Sequence, residues 1–597
     1  MSFLPWWQRY PERLQWEISE LQALGVVCRV DEEKRTENQT VVMELSVPGV
    51  LTGTAELNMT AVFPDYYPLV PPKVFAADLE MPHHLNPFSK EVCLLGTPSE
   101  EWGTNGSLAQ LLRDQLPEAI RAGLSDDHEG AEWNEKPQAE PYGAYYTTYA
   151  SAAMVLVDGS WSIPEDAVHG PIEIRLAGPL PGPDVTAART LGGVVAVGSD
   201  TGQTYATLDN QLQELLEGQL VHGRWSRLTS AVNVDDARAI WDAGQKADSS
   251  GSTREESYQG CRIQVRAVLF PEETGPRKVS DGWAFVLKVR GAQQQNNKNK
   301  NRRGGAPRPV SVSGGADQYH LLRTGRAGRS DIRARVPEHL PLATKKVAII
   351  GAGAIGSAVA VHLGRAGVGH LFVIDADVLE PGNLVRHSAS FDGVGLLKAA
   401  AVARLVRSVA PYTQVVFNPA YVGGSRPQGE PDPLRQISEE LRSYHLLIDA
   451  SADRGTQRIL ATIAREIGIP YLSLEATNGA WGGMVAYIGQ DSSWCHSCLE
   501  WFRFDKTIPD PANSPVAYTQ PVGCAQPTFT GASFDLEEVS LQAVRTAATQ
   551  LSAGDGSAAT PGFDVAVMEL RNEAGERTLP TWNGYNLTRH AECTAHP

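Results

Sequence analysis

Cysteine is scarce in this chain. Seven in 597 residues cannot build a disulfide scaffold, so the questions they raise are reactivity and metal ligation. Long apolar runs are missing: none approaches the ~20 residues that a membrane span needs. The opening MSFLPWWQRYPERL is aromatic and mixed, not a charged-then-apolar leader. An excess of positive charge is missing too. Lys and Arg number 52 against 69 Asp and Glu, a net charge of −17, which argues against general nucleic-acid affinity. These absences predict a soluble, cytoplasmic protein with no nucleic-acid or membrane partner. The length leaves room for three or more domains.

The most informative stretch is KKVAIIGAGAIGSAVAVHLGRAGVGHLFVIDADVLEPGNLVR, residues 345–386. An apolar strand runs into Gly351, Gly353 and Gly356. An amphipathic helix and a second strand come next, ending at Asp375. Glycines let the backbone approach a phosphate, and the helix N-terminus supplies free N–H donors and the positive dipole end. A dinucleotide-binding dehydrogenase would be the default reading. The residues beyond Asp375 argue against it: a second acid at Asp377, then Asn383, Arg386 and Lys398 in GLLKAAAVARLV. Cations and an amide gathered near a nucleotide suit the triphosphate of ATP.

This pattern closely resembles the adenylation domain of ubiquitin-activating enzymes and their bacterial ThiF/MoeB-type relatives, over residues 323–567. The resemblance implies a Rossmann-like α/β fold and ATP bound by the three glycines, Asp375, Asp377, Asn383, Arg386 and Lys398. It also implies a homodimer, with Arg329, Arg333 or Arg335 of the leading segment reaching the partner's ATP. Family members hold Mg²⁺ with an Asp-x-x-Asp-Asn motif followed by an Arg. Here Asp453 and Arg458 fit that spacing, with Asp449 as the alternate and Arg454 in place of the Asn.

The N-terminal segment, residues 1–137, predicts a helix (12–24), three strands (26–30, 40–47, 55–62) and a proline-rich turn. A cysteine, a tryptophan and a helix come after it, the helix starting at Ser107 and breaking near Pro117. The order resembles a ubiquitin-conjugating enzyme over about 120 residues. The family's FPxxYPxxPP stands here as Phe63-Pro64, Tyr67-Pro68 and Pro71-Pro72. Its His-Pro-Asn stands as His84-Leu85-Asn86, without the proline. The resemblance makes Cys93 the thioester-forming cysteine and Asn86 a donor to the oxyanion formed on attack.

Residues 138–320 read as a β-rich domain with a helical insert near 231–247 and a low-complexity loop at 291–315. No constellation of chemistry is visible there. Asp158, His169 and Asp200 lie scattered and read as ordinary loop residues. Residues 321–597 complete an α/β multidomain chain.

Near the C-terminus, Cys495 and Cys498 form a CxxC, and Cys593 and His596 a CxxH. Together they make four ligands of the softness tetrahedral zinc prefers. His590 or Cys524 could replace His596. Cys524 lies in a Gly/Pro-rich loop ahead of a helical pattern at 535–551. In related activating enzymes the thioester-forming cysteine occupies such a segment, so Cys524 is taken as that nucleophile.

The domain order resembles the bacterial activating–conjugating fusion of cyclic-oligonucleotide anti-phage defence (CBASS) operons. There the acyl donor is the C-terminus of the neighbouring nucleotidyltransferase (CD-NTase). Similar fusions sit beside ubiquitin-like proteins and JAB-type proteases. The implied function is ATP-dependent activation of a protein C-terminal carboxylate, relay from Cys524 to Cys93, and ligation to a target amine. The alternatives are a sulfur-carrier adenylyltransferase, which gives Cys93 no role, and conjugation of a separate ubiquitin-like protein.

Overall fold

A computed structural model of the chain describes residues 4–53, 55–124, 140–181, 189–250, 253–275, 278–290, 316–422, 433–515, 518–519, 528–552, 562–572 and 574–596. They fall into two compact units: residues 1–208 with 216–327, and residues 209–215 with 328–597.

In the first unit a single helical turn at Trp6–Arg9 leads into helix α1 (Pro11–Ala23). An antiparallel meander comes next: β1 (Val27–Val30), β2 (Val41–Val47), β3 (Leu57–Phe63) and β4 (Lys73–Phe75). Val41, Met43, Leu45 and Val47 alternate inward along β2, as period-2 patterning demands. The short strand β4 lies just past the proline turn and was not expected. Ser107 caps α2 (Leu108–Asp114), accepting the Gln110 N–H at 3.0 Å. The helix ends there, before α3 (Leu116–Leu124). The expected break falls at Gln115, just ahead of Pro117: the ring offers no N–H to the Arg113 carbonyl, and a new helix begins at Leu116 with the proline in its first turn. Buried Glu17 ties the parts together. It accepts the Tyr67 hydroxyl of the proline turn and the Leu108 N–H at 2.9 Å, and pairs with Arg13 at 3.1 Å.

The β-rich part of this unit is a closed barrel. Its strands are β5 (Tyr149–Val157), β6 (His169–Ala177), β7 (Thr190–Gly198), β8 (Gln219–Arg227), β9 (Cys261–Gly275), β10 (Lys278–Arg290) and β11 (Gln318–Arg326). The order β9-β10-β11-β5-β7-β6-β8 returns to β9 through a parallel β8–β9 pairing, so these seven strands close into a ring, with the short strands Thr204–Ala206 and Glu256–Tyr258 paired to β7 and β9. Side chains fill the interior, among them Trp225, Trp283 and Phe285. Helix α4 (Ala237–Ala247) covers the outside with Ile240 and Trp241.

The second unit is built on an eight-stranded sheet. Its strands are β12 (Lys346–Ile350), β13 (His370–Ile374), β14 (Gln414–Asn418), β15 (Leu446–Asp449), β16 (Tyr471–Ala476), β17 (Gly482–Ile488), β18 (Val565–Arg571) and β19 (Arg577–Tyr585). The order is β14-β13-β12-β15-β16-β17-β18-β19, parallel as far as β16 and antiparallel beyond. Central strands are buried on both faces, hence their unbroken apolar runs. Helices α5 (Ala354–Arg365), α6 (Lys398–Val409) and α9 (Ser533–Ser552) cover one face. Helix α7 (Arg454–Ile467) covers the other, while α8 (His496–Phe504) carries the CxxC. The helix expected at 535–551 is α9. Among the described residues no helix is long and apolar enough to cross a membrane.

Candidate active sites

Register builds the first site. Ile350 pairs with Ile374 on one side and Asp449 on the other, so Gly351, Asp375 and Ala450 leave the sheet at one edge. Gly351 takes φ +91°, and a Cβ there would lie 2.5 Å from the Ala450 carbonyl oxygen. A Cβ on Gly356 would lie 1.9 Å from the Gly351 carbonyl oxygen. A Cβ on Gly353 would meet nothing within 4 Å, so the space in front of the α5 N-terminus is open. Gly353 gives that terminus no side-chain cap, which leaves its first-turn N–H groups to an anion.

Asp375 braces this loop. Its carboxylate accepts the Ala352 N–H at 2.7 Å and the Asp377 N–H at 2.8 Å. Asp377 in turn pairs with Lys398 at 2.8 Å, at the start of α6. Asn383 accepts the Glu380 N–H at 3.0 Å and shapes the turn that delivers Arg386. Arg386 is half-buried, and loss of water holds its guanidinium below the usual arginine range. The sequence reading missed His387. This buried ring faces the Ala352 carbonyl at 2.8 Å, and burial pushes its pKa down.

Of the two candidate magnesium ligands, Asp449 is fully buried. Its oxygens accept Ser451 N–H and Oγ at 3.0 and 2.7 Å and the Tyr471 hydroxyl at 2.9 Å. Burial pushes its carboxyl up. Asp453 is exposed at the N-cap of α7, and the Thr456 N–H at 2.7 Å holds its carboxyl below the usual range. The accessible anion is therefore Asp453. Arg458 turns to Glu500 at 2.7 Å in a cleft of 810 Å³ that Arg454 also lines. Arg329 is held by Asp209 at 3.0 Å and lies over the Tyr412 ring.

Cys93 is exposed, in a cleft of 720 Å³ also lined by His84, Leu94, Trp102 and Gln110. Asn86 Oδ1 accepts the N–H groups of Phe88 and Ser89 at 2.9 and 3.0 Å. The carbonyl end of that amide is thus committed to the loop, and the Nδ2 end is its remaining donor. The sequence reading missed Glu140 and Tyr145, which approach this loop from the segment leading into the barrel.

A third cluster joins Cys495, Cys498, Cys593 and His596, with all four ligand atoms within 4.8 Å of one another. Cys495 Sγ lies 3.8 Å from both Cys498 Sγ and Cys593 Sγ, and Cys498 Sγ lies 3.2 Å from His596 Nε2. Tetrahedral thiolates on ~2.3 Å bonds stand about 3.8 Å apart, so the set fits a metal ion. His590 is excluded as a ligand. Its ring pairs with Asp505 at 3.1 Å, and only its backbone N–H approaches Cys498. Cys524 lies outside the described residues.

The barrel corrects one expectation. His169 is a strand residue and Asp200 is its partner at 3.0 Å, with Ser249 at 3.3 Å on the other ring nitrogen. The line resembles a hydrolase triad, but Arg224 neutralises Asp200 with contacts at 2.7 and 3.0 Å. Ser249 lies just past the C-terminal end of α4, where carbonyl groups would repel an oxyanion. Asp248 and Arg266 extend the group into an ion network that stabilises the barrel wall.

Residues 20–155 match the family described as Prokaryotic E2 family B, and residues 332–532 match the ThiF family. The protein y4oA of Sinorhizobium fredii is 28% identical over 99% of this chain and 97% of its own length. The ATP-dependent ubiquitin transferase-like protein Cap2 of Enterobacter hormaechei is 29% identical over 36% of this chain and 34% of its own length. The SAMP-activating enzyme E1 of Haloferax volcanii is 30% identical over 31% of this chain and 66% of its own length. The chain thus carries an E2-like domain and an E1-like ThiF adenylyltransferase domain, and it is an enzyme.

Proposed function

We propose that one polypeptide activates a protein C-terminus with ATP and conjugates it to an amine. Residues 1–137 conjugate, the barrel through β11 joins, and the chain from Gly328 onward activates. The observation that carries this reading is Cys93, exposed in a cleft of an E2-like fold, on a chain that also holds a glycine cradle with Arg386 and Lys398.

The donor's carboxylate attacks the α-phosphate of ATP. A C–O–P bond forms and pyrophosphate leaves. The glycine loop and the α5 N–H groups hold phosphate oxygens, and Arg386 offsets their charge. Lys398 does the same by exchanging Asp377 for phosphate. Mg²⁺ on Asp453 would screen the triphosphate charge. Cys524 then takes the acyl group and releases AMP. Cys93 receives it from Cys524, and Asn86 Nδ2 donates to the oxyanion when an amine attacks. Carrying both cysteines on one chain raises the effective concentration for their exchange. Cys495, Cys498, Cys593 and His596 hold a structural zinc that ties the C-terminal segment to α8.

The similarity to the ubiquitin transferase-like Cap2 supports ubiquitin-like conjugation, and the resemblance of the domain order to the fusions of CBASS operons suggests a CD-NTase as acyl donor and a place in anti-phage defence. A separate ubiquitin-like protein fits the same chemistry. The proposal includes a homodimer and a reducing cytoplasm. The test adds tagged wild type, Cys524→Ala and Cys93→Ala to host lysate with and without Mg-ATP, resolved on non-reducing gels. A thiol-sensitive, ATP-dependent adduct lost in Cys524→Ala, and no onward conjugate from Cys93→Ala, is expected. An adduct whose fate ignores Cys93 would favour sulfur-carrier activation instead.

A further inference from the structure

The Cys93 site holds groups that the relay above does not use. Leu85 pairs with Val92, so His84 stands opposite Cys93, and the Cys93 N–H donates to the His84 carbonyl at 2.9 Å. Leu85 and Val92 are buried, which turns their neighbours outward, and both His84 and Cys93 line the same cleft. His84 has φ +59°, a region that costs a non-glycine residue and that the surroundings must enforce.

The restraint comes from outside the meander. The Glu140 carboxylate accepts the His84 backbone N–H at 2.9 and 3.0 Å, and Glu140 Oε1 lies 3.7 Å from His84 Nδ1. The Tyr145 hydroxyl donates to Glu140 Oε2 at 3.0 Å. The Glu140 N–H donates to Glu273 of β9 at 3.0 Å, and Glu273 lies 3.6 Å from His83 Nδ1. Phe88 packs its ring 5.5 Å from Tyr142 and 5.3 Å from Tyr146. Burial, the Glu140 charge and nearby Cys93 all keep the Tyr145 hydroxyl protonated.

Aminolysis of a thioester needs what this arrangement offers. A lysine side chain arrives as an ammonium, and only the free amine attacks. We propose that His84 is the base that takes the proton from the amine attacking the Cys93 thioester, with Glu140 and Tyr145 as positioning residues. The inference rests on the reading that Cys93 carries the acyl group. His84 takes one proton from the ammonium, and the freed amine nitrogen bonds to the acyl carbon. The C–S bond breaks with its electron pair on sulfur, the second N–H proton goes to the Cys93 thiolate, and His84 releases the first proton to water. Nothing else is consumed. With Nδ1 turned to Glu140, Nε2 is the nitrogen on the far side of the ring, which takes and releases the proton.

The test bypasses ATP and the unidentified donor. Full-length protein with Cys524→Ser is loaded at Cys93 by exchange with the mercaptoethanesulfonate thioester of N-acetylglycine. Discharge is followed by mass spectrometry with Nα-acetyl-lysine methylamide or with hydroxylamine, which is unprotonated at neutral pH and needs no base. His84→Asn keeps a residue that tolerates positive φ. It should slow lysine discharge about 100-fold while hydroxylamine discharge stays within about twofold. Glu140→Gln and Tyr145→Phe should show the same split by smaller factors. Lysine discharge that survives in His84→Asn overturns the assignment. Parallel loss of both reactions, or loss of loading in His84→Asn alone, makes His84 structural and also overturns it. A parent protein that takes no acyl group at Cys93 sinks the relay reading itself.

Discussion

The two reactive regions are assembled in different ways. The proposed nucleotide cradle draws Gly351, Gly353, Gly356, Asp375, Asp377, Asn383, Arg386 and Lys398 from one continuous stretch. In-register parallel strands bring their ends to one edge, so a single motif builds a site. The Cys93 site is composite. Its loop supplies His84, Asn86 and Cys93, while Glu140, Tyr145 and Glu273 come from the segment before the barrel and from the barrel wall. Contiguous sites can be read from a motif. Composite sites yield the residues of their own loop, here Cys93 and Asn86, but not the partners that dock from elsewhere.

The comparison breaks if the two regions fail to act separately. Arg386→Ala or Lys398→Ala should cut ATP–pyrophosphate exchange about 10²–10³-fold, the scale of losing a charge-stabilising contact, with folding unchanged. Cys93→Ala should leave exchange intact and abolish conjugates. Exchange that falls in Cys93→Ala would mean one coupled centre.

Metal is the next test. Chelation or Cys593→Ser should release one ion per chain and destabilise the activating unit by roughly several kcal/mol, seen as a lower Tm. His590→Ala should not release it.

The glycines sharpen the contrast within the cradle. Gly356→Ala forces a Cβ against the Gly351 carbonyl and should cost about 1–3 kcal/mol in thermal unfolding. Gly353→Ala points into open space, so stability should hold while nucleotide affinity falls in calorimetry.

Asp453 gives the smallest effect. Asp453→Ala removes the α7 cap and should cost about 1 kcal/mol at neutral pH. Its carboxyl is held low, so this contribution is present above the unfolded pKa and lost as pH falls through the folded one. The difference from wild type should therefore close below about pH 3.9. Asp453→Asn should keep the cap and the stability but weaken magnesium-dependent exchange.

Much of this was legible in the sequence. Gly351 and Gly356 are glycines for the steric reasons the motif implies, and the CxxC and CxxH do converge. The barrel was readable only as a set of short strands, because closure depends on the parallel β8–β9 pairing that no local pattern encodes. The break near Pro117 was legible because proline cannot continue the helix that precedes it. His169 and Asp200 read as strangers because register, not spacing, brings them together. Glu140 and Tyr145 carried no signal, since an acid and an aromatic in a polar stretch are ordinary until a loop docks on them.

The central claim is that Cys93 carries the activated acyl group. The most direct measurement is mass spectrometry of the Cys93 peptide from wild-type protein incubated in host lysate with Mg-ATP and quenched without thiols. The account predicts a thioester-linked C-terminal fragment of one donor protein on Cys93, absent without ATP and absent in Cys524→Ala. Robust pyrophosphate exchange with Cys93 unmodified would contradict it.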